Sequence, residues 1–406
     1  MKLLKKIIRL SKQVIEMKKY EKLAKKYKDN PKYKNLWLIS ERGTEAKDNG
    51  FCFFEYMVKN HPEINARYVI DTKKCGEDIN KLKDYMDKII EYGSDEHKIA
   101  YILCTHAISS HSGFLEPWSY RLYKKILDRN DEKIFVFLQH GVILHDLSEY
   151  CSKEKILADL FITTTKREYE SIASPLYGYK DGEVVQTGIA RYDKLNDFEL
   201  KNQILIMPTW RKNIITPSYM GENKDTELFT SSEYFKRFNS LINNKKLEKV
   251  LEEKNLDLVF YPHYEIQPYL DCFEKKNSKL ILASKDEYDV QDLLKSSKAM
   301  ITDFSSIQFD FAYMRKPQVY YQFDSIDNHY KSGYFDYERD GFGPVCEKED
   351  DVVENMIKII NNEFKVEEKY LDRINRDFNI RDDKNSYRIY QEIMKINKKA
   401  SKCDII

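Results

Sequence analysis

At 406 residues the chain is longer than one hydrophobic core usually organises, so two domains of ordinary size are expected. A hydrophobic fraction of 42% and a charged fraction of 33% exclude a disordered or collagen-like chain, and a net charge of +1 excludes a surface built throughout for nucleic acid. Seven cysteines without a Cys-x-x-Cys pair suggest neither a zinc site nor a disulfide framework. No apolar run approaches the roughly 20 residues that span a bilayer, and no signal peptide is apparent, so a protein of the reducing cytosol is expected.

Residues 1–28 hold eleven Lys or Arg against Glu16 and Glu21, a net of +9, which leaves −8 for the rest. Leu3, Leu4, Ile7, Ile8, Val14 and Ile15 recur at helical spacing opposite this charge, predicting a basic amphipathic helix over residues 1–30. Such a helix either lies in the interface of an anionic membrane or packs on its own domain.

From residue 36, short apolar runs alternate with longer amphipathic stretches. Strands are predicted at Leu36–Ser40, Tyr68–Asp71, Ile99–Cys104, Ile134–Leu138, Leu160–Thr163 and Val184–Thr187, forming an α/β domain over 31–198. The pattern restarts at Ile204–Met207, Leu256–Phe260, Lys279–Leu282, Ala299–Thr302 and Val319–Tyr321, a second α/β domain over 199–365. The polar tract Asn196–Asn202 suits a linker, and helices within 366–406 close the chain. The expected fold class is α/β, with two doubly wound, Rossmann-like domains facing each other across a cleft. Open sheets of this kind bind ligands beyond the carboxyl ends of their strands, so the chemistry belongs in strand-to-helix loops.

Five such loops stand out. Ala299–Thr302 runs into Asp303-Phe304-Ser305-Ser306 just before the helical run Ile307–Tyr313. Backbone N–H groups and the hydroxyls of Ser305 and Ser306 there suit a phosphate, or simply cap a helix. Asp303 would repel a diphosphate, so it caps the helix or orients a ribose or donor hydroxyl. His140 ends the strand Phe135–Leu138 ahead of Gly141, where an imidazole can act as a general base or be a plain surface or core histidine. His263, after Phe260-Tyr261-Pro262, is either a phosphate-neutralising donor or a turn histidine. Arg211, in Pro208-Thr209-Trp210-Arg211, is either a phosphate clamp or an arginine stacked on Trp210. In the first domain, Glu41 and Arg42 after the first strand, and Asp48 and Asn49 before the next helix, could line an acceptor site or form a helix-entry turn. His61, His97, His106, His111 and His329 lack ligand-like spacing and receive no role.

Taken in order, these segments resemble the CDP-glycerol glycerophosphotransferase family, enzymes that prime and polymerise teichoic acids and related bacterial capsule polymers. The resemblance covers Trp37–Tyr56, Phe135–Ser148, Thr187–Asp193, Ile206–Arg211, Tyr261–His263, Asp289–Asp324 and Asp382–Ser386, and is most specific over Ile301–Asp310 followed by Lys316-Pro317. It implies the glycosyltransferase-B architecture, with the acceptor in the N-terminal domain and the CDP-donor in the C-terminal one.

By resemblance, His140 matches the base that activates the acceptor hydroxyl and His263 the histidine that contacts donor phosphate. Arg211, Thr302, Ser305, Ser306 and Asp310 match donor-binding loops, with Asp303 among them; Glu41, Arg42, Asp48, Asn49 and Gly141 fall on the acceptor side. Two departures appear. The histidine-proline order is reversed at Pro262-His263, and the lysine common after His140-Gly141 is replaced by Val142–Asp146, so a phosphate contact is missing or comes from His145.

The implied reaction moves a polyol phosphate, glycerol phosphate first, from a CDP-activated polyol to a lipid-linked acceptor and releases CMP. It would run at the cytoplasmic face of the bacterial membrane as a peripheral enzyme, with no tightly bound cofactor, no metal cluster and no nucleic-acid partner. A homo-oligomer stays open, as does a loosely held Mg²⁺. Two rivals are a nucleotide-sugar transferase of the same architecture and a non-catalytic membrane scaffold.

Overall fold

The computed structural model describes residues 2–215, 224–325 and 331–396. His329, Cys403 and residues 397–406 of the expected closing helices lie outside them, as do the side chains of Leu3 and Leu4. The chain divides into two compact units. The first takes residues up to Val142, Ser148–Asp193 and the chain from Asp382 onward; the second takes Ile143–Leu147 and Lys194–Arg381.

Strands whose residues are apolar on both faces must be covered on both faces, and each unit does this with a parallel sheet between helices. In the first unit the strands are β1 (Leu36–Ser40), β2 (Asn65–Ile70), β3 (Ile89–Glu91), β4 (His106–Ser109), β5 (Ile134–Phe137), β6 (Leu160–Thr163) and β7 (Val184–Gln186). Their order is β3-β2-β1-β4-β5-β6-β7, with Trp37 of β1 in register with Ala66 of β2 and His106 of β4. The second unit repeats the scheme with β8 (Gln203–Ile206), β9 (Asp257–Phe260), β10 (Leu280–Leu282), β11 (Ala299–Thr302), β12 (Gln318–Tyr321) and β13 (Val345–Cys346), ordered β10-β9-β8-β11-β12-β13. In each sheet the strand order reverses once, between β1 and β4 and between β8 and β11. Loops leaving a doubly wound sheet diverge at that point and leave room for a ligand.

One predicted strand is wrong. Ile99–Cys104 belongs to the helix Asp95–Leu103. Ser94 caps it by accepting from the His97 N–H at 3.0 Å, and Asp95 and Glu96 sit in its first turn, where acidic side chains favour a helix. β4, which with the short β3 and β13 was not predicted, follows at once and carries only His-Ala-Ile-Ser. In the second unit the helix Ile307–Tyr313 forms where its apolar pattern put it.

The basic N-terminal segment is a helix, Lys2–Tyr27. It turns Met17, Tyr20 and Ala24 inward against the first unit, where Glu16 accepts from Trp118 at 3.0 Å and pairs with Lys98 at 2.7 Å. Ile7, Ile8 and Ile15 remain exposed, at 51%, 47% and 71%. The packed face is therefore not the one its apolar spacing picked out. No helix among the described residues is long and apolar enough to cross a membrane.

Candidate active site

In the first unit, the helix Asn49–Asn60 begins beside the end of β1, and Gly50 makes the approach possible. A Cβ there would lie 2.4 Å from the Ser40 carbonyl oxygen. Glu41 is fully buried and closes the same helix start. Its carboxylate accepts from the backbone N–H groups of Lys47 at 2.8 Å, Asp48 at 3.1 Å and Phe51 at 3.2 Å. Burial and then the charge of Asp48 push its pKa up to about 8, against the pull of those N–H donors. Glu41 thus holds the loop together and has no surface to offer a ligand.

Asn49 and Asp48 hold the backbone around His140. Asn49 donates to the Gln139 carbonyl at 2.6 Å and accepts from the Arg191 N–H at 3.0 Å. Arg191 donates to Asp48 at 2.9 Å and to the His140 carbonyl at 2.7 Å. Gln139 itself adopts a left-handed backbone, φ +64°, unusual for a residue with a side chain, and its amide is tied to the buried Glu168 at 2.7 Å. The chain is thereby turned at the end of β5 so that His140 leaves the sheet with solvent-exposed surface. Gly141 is buried behind it.

The His140 ring stacks on His111 with centroids 4.4 Å apart and planes 15° from parallel. The Arg42 Nε donates to the Nε2 of His111 at 3.1 Å, which leaves the proton of a neutral His111 on Nδ1, facing the Ser110 hydroxyl at 3.0 Å. Loss of surrounding water pulls the His140 pKa below 6.5, helped by Arg42 and Arg191 and opposed by Asp48 and the Ser110 carbonyl. Burial, and then its neighbour His140, pull the His111 pKa below 6.5 as well. Both imidazoles are neutral near pH 7, the state a base requires.

In the second unit the strand ends at the switch point are locked by charge. Arg211 is only 3% exposed. It donates through Nε and Nη2 to both oxygens of Asp324 at 2.8 Å, and through Nη1 to Asp303 at 2.9 Å and the Thr209 carbonyl at 2.8 Å. These carboxylates hold its pKa above the usual arginine range against the cost of burial. Asp303, fully buried, also accepts from the Thr209 N–H at 2.8 Å, and the Thr302 hydroxyl donates to the Met207 carbonyl at 2.8 Å. The expected phosphate clamp is therefore a tie between the ends of β8 and β11. Asp303 takes part in that tie and caps no helix, and Asp310 is fully buried.

Ser305 and Ser306 keep partial exposure, and Ser306 makes no side-chain cap bond to its helix. His263 is half-buried, stacked near Trp210 with centroids 6.1 Å apart. Its Nδ1 accepts from the Glu265 N–H at 3.3 Å, so a neutral ring carries its proton on Nε2 as a donor. His145 falls in Ile143–Leu147, which packs with the second unit through a bridge from Asp146 to Lys331.

Sequence reasoning missed His111, Gln139, Arg191 and Asp324. His111 follows the unrecognised β4, so its place in a switch-point loop was hidden. Arg191 and Asp324 lie inside segments that carried the family resemblance but were given no role. Asp193, beside Arg191, accepts from the backbone N–H groups of Asn385 at 2.7 Å and Ser386 at 2.9 Å, which explains why Asp382–Ser386 belongs with the first unit.

Residues 23–395 match the CDP-Glycerol:Poly(glycerophosphate) glycerophosphotransferase family. The chain is 36% identical over 375 residues to the minor teichoic acid biosynthesis protein GgaB of Bacillus subtilis, covering 91% of this chain and 41% of that protein. It is 24% identical over 346 residues to a teichoic acid glycerol-phosphate transferase of Staphylococcus aureus, covering 80% of this chain and 84% of that one. It spans 48% of a Staphylococcus epidermidis teichoic acid poly(glycerol phosphate) polymerase, so it corresponds to less than half of two of its relatives. In fold it is similar to the wall teichoic acid polymerase TagF, with a TM-score of 0.66 at 19% identity and 97% of both chains covered. A variant of TagF has been solved after a soak with CDPG. A UDP-N-acetylglucosamine 2-epimerase described as such for Listeria monocytogenes shares the fold more distantly, TM-score 0.56 at 13% identity, over 89% of this chain and 96% of that one. With a match that runs through nearly all its length, the chain belongs to the CDP-glycerol:poly(glycerophosphate) glycerophosphotransferase family.

Proposed function

We propose that the protein transfers glycerol phosphate, or a related polyol phosphate, from a CDP-activated donor to a hydroxyl of a lipid-linked acceptor in teichoic acid or capsule polymer synthesis. The observation that carries this reading is His140, a neutral imidazole on a left-handed turn, stacked on His111 and pinned through its backbone by Arg191. In the reaction the acceptor oxygen attacks the phosphorus that bears the polyol, the P–O bond to CMP breaks, and the hydroxyl proton passes to His140. The Nε2–H of His263 and the hydroxyls of Ser305 and Ser306 would meet charge on the donor phosphates. Arg211 would act through Asp303 and Asp324, by keeping the ends of β8 and β11 in place.

The helix Lys2–Tyr27 supports a peripheral position at an anionic membrane: Ile7, Ile8 and Ile15 are exposed beside Lys and Arg. The test is to incubate purified protein with CDP-glycerol or CDP-ribitol and a lipid-linked acceptor and to follow CMP. Acceptor-dependent CMP release with formation of a phosphodiester is expected. Turnover of neither donor would sink the reading.

A further inference from the structure

The first unit contains a cavity of about 480 Å³ to which nothing above assigns a ligand. Arg9 and Gln13 of the N-terminal helix, Ser112 and Glu116 of the loop after β4, Arg121 of the helix Tyr120–Ile126, and Lys155 line it. Neither Arg9 nor Lys155 has a carboxylate partner among the described residues, while Arg121 lies 4.0 Å from Glu154 and also donates to its backbone carbonyl. Three cations thus converge on one space against one paired, exposed carboxylate and one buried one.

The buried one is Glu116, 6% exposed. Its Oε2 is buried without a hydrogen-bond partner among the described residues, and Glu116 is one of the residues that line the cavity. An unsatisfied buried carboxyl oxygen is costly and marks a place where a partner belongs. Burial raises the Glu116 pKa to about 7, so near neutrality the group can offer an O–H as well as accept. Cations around a carboxyl able to donate a proton suit phosphate oxygens.

The position of the cavity connects it to the base. Ser112 and Gly113, which line it, directly follow His111, the ring beneath His140, and Phe114 packs edge-on against His111 at 6.0 Å. We propose that this cavity is a subsite for a phosphate of the acceptor, a phosphodiester or diphosphate anion set back from the hydroxyl that reacts. The proposal deepens the transferase reading and rests on it.

The test compares the full chain with Arg121→Glu/Lys155→Glu, both exposed positions, using a short water-soluble glycerol-phosphate oligomer and a phosphate-free polyol of similar length as acceptors. In the double variant the KM for the oligomer should rise about tenfold or more, the scale of losing a charge-assisted contact, while the KM for CDP-glycerol and turnover of the phosphate-free acceptor hold. An unchanged oligomer KM would overturn the proposal.

Calorimetric titration of the oligomer without donor separates the two readings. If the wild type transfers nothing yet binds the oligomer and the variant does not, the subsite stands and the transferase reading falls. Equal binding by both removes the subsite. Phosphatidylglycerol vesicles form the third arm: a variant that loses only vesicle binding would make the cavity a headgroup site and overturn the acceptor assignment. Glu116→Gln, which keeps shape and removes the titrating proton, should weaken oligomer binding with the far-ultraviolet spectrum unchanged.

Discussion

The two switch points have the same topology and opposite electrostatics. Between β8 and β11 Arg211 and Asp303 are buried, and with the partly exposed Asp324 they satisfy one another; Asp303 has no exposed surface. Between β1 and β4 the Arg42 guanidinium donates to a neutral imidazole, His111, and the chain leaves His140 with solvent-exposed surface above it. The same crossing of loops therefore locks charge away in one unit and leaves an imidazole exposed in the other. A strand-end charge is not in itself a ligand contact; whether its donors already end on protein decides.

Removing His140 should have the largest effect. If His140 is the base, His140→Ala is expected to lower transfer by about 10²- to 10⁴-fold, the contribution of a positioned general base, while the thermal midpoint stays close to wild type because the residue keeps exposed surface. Steady-state CMP release and a melting curve check both halves. A variant that unfolds would mean that the stack on His111 is structural and would break the contrast between the two switch points.

Arg211→Met should do the reverse. It leaves Asp303 as an uncompensated buried carboxylate, and a loss of about 3–5 kcal/mol is expected in urea unfolding, with activity falling only as the folded fraction falls. Retained stability with lost CDP-glycerol binding would show that Arg211 is a ligand clamp after all.

Gly50→Ala sharpens the comparison from the backbone. A Cβ 2.4 Å from the Ser40 oxygen must push the helix Asn49–Asn60 from β1 and with it Asn49, which orients the Gln139 carbonyl. About 1–3 kcal/mol of stability should go, and kcat should fall with little change in the donor KM. A change confined to the donor KM would contradict that coupling.

Much of this was legible in the chain. Both parallel sheets follow from runs such as Leu36–Ser40 and Ala299–Thr302, apolar throughout and bounded by polar loops, and the strand-end positions of His140 and His263 follow from those runs. What was not legible depended on partners distant in sequence. Arg211 reads as a phosphate clamp until Asp324, more than a hundred residues on, is seen to grip it. Glu41 reads as a cleft residue until its N–H donors appear. His111 was hidden because β4 is too short and too polar to announce itself beside the stronger apolar pattern of the helix Asp95–Leu103.

The smallest effect expected is also the most specific. Arg42 is not placed to touch the reacting atoms, yet its charge depresses the pKa of both His111 and His140. The folded-state pKa of His140 lies below the ordinary 6.5, so the base is unprotonated at pH 7, and kcat/KM should fall only as pH drops through that lowered value. Replacing Arg42 with Gln removes a like charge that opposed protonation. The pKa must then rise, and the acid limb of the kcat/KM profile should move to higher pH, with the rate near pH 8 almost unchanged. An acid limb that stays put would mean that desolvation alone sets the base, and Arg42 would be left with the orientation of His111. A limb moving to lower pH would contradict the electrostatics of the site, because it would require Arg42 to favour the imidazolium it faces.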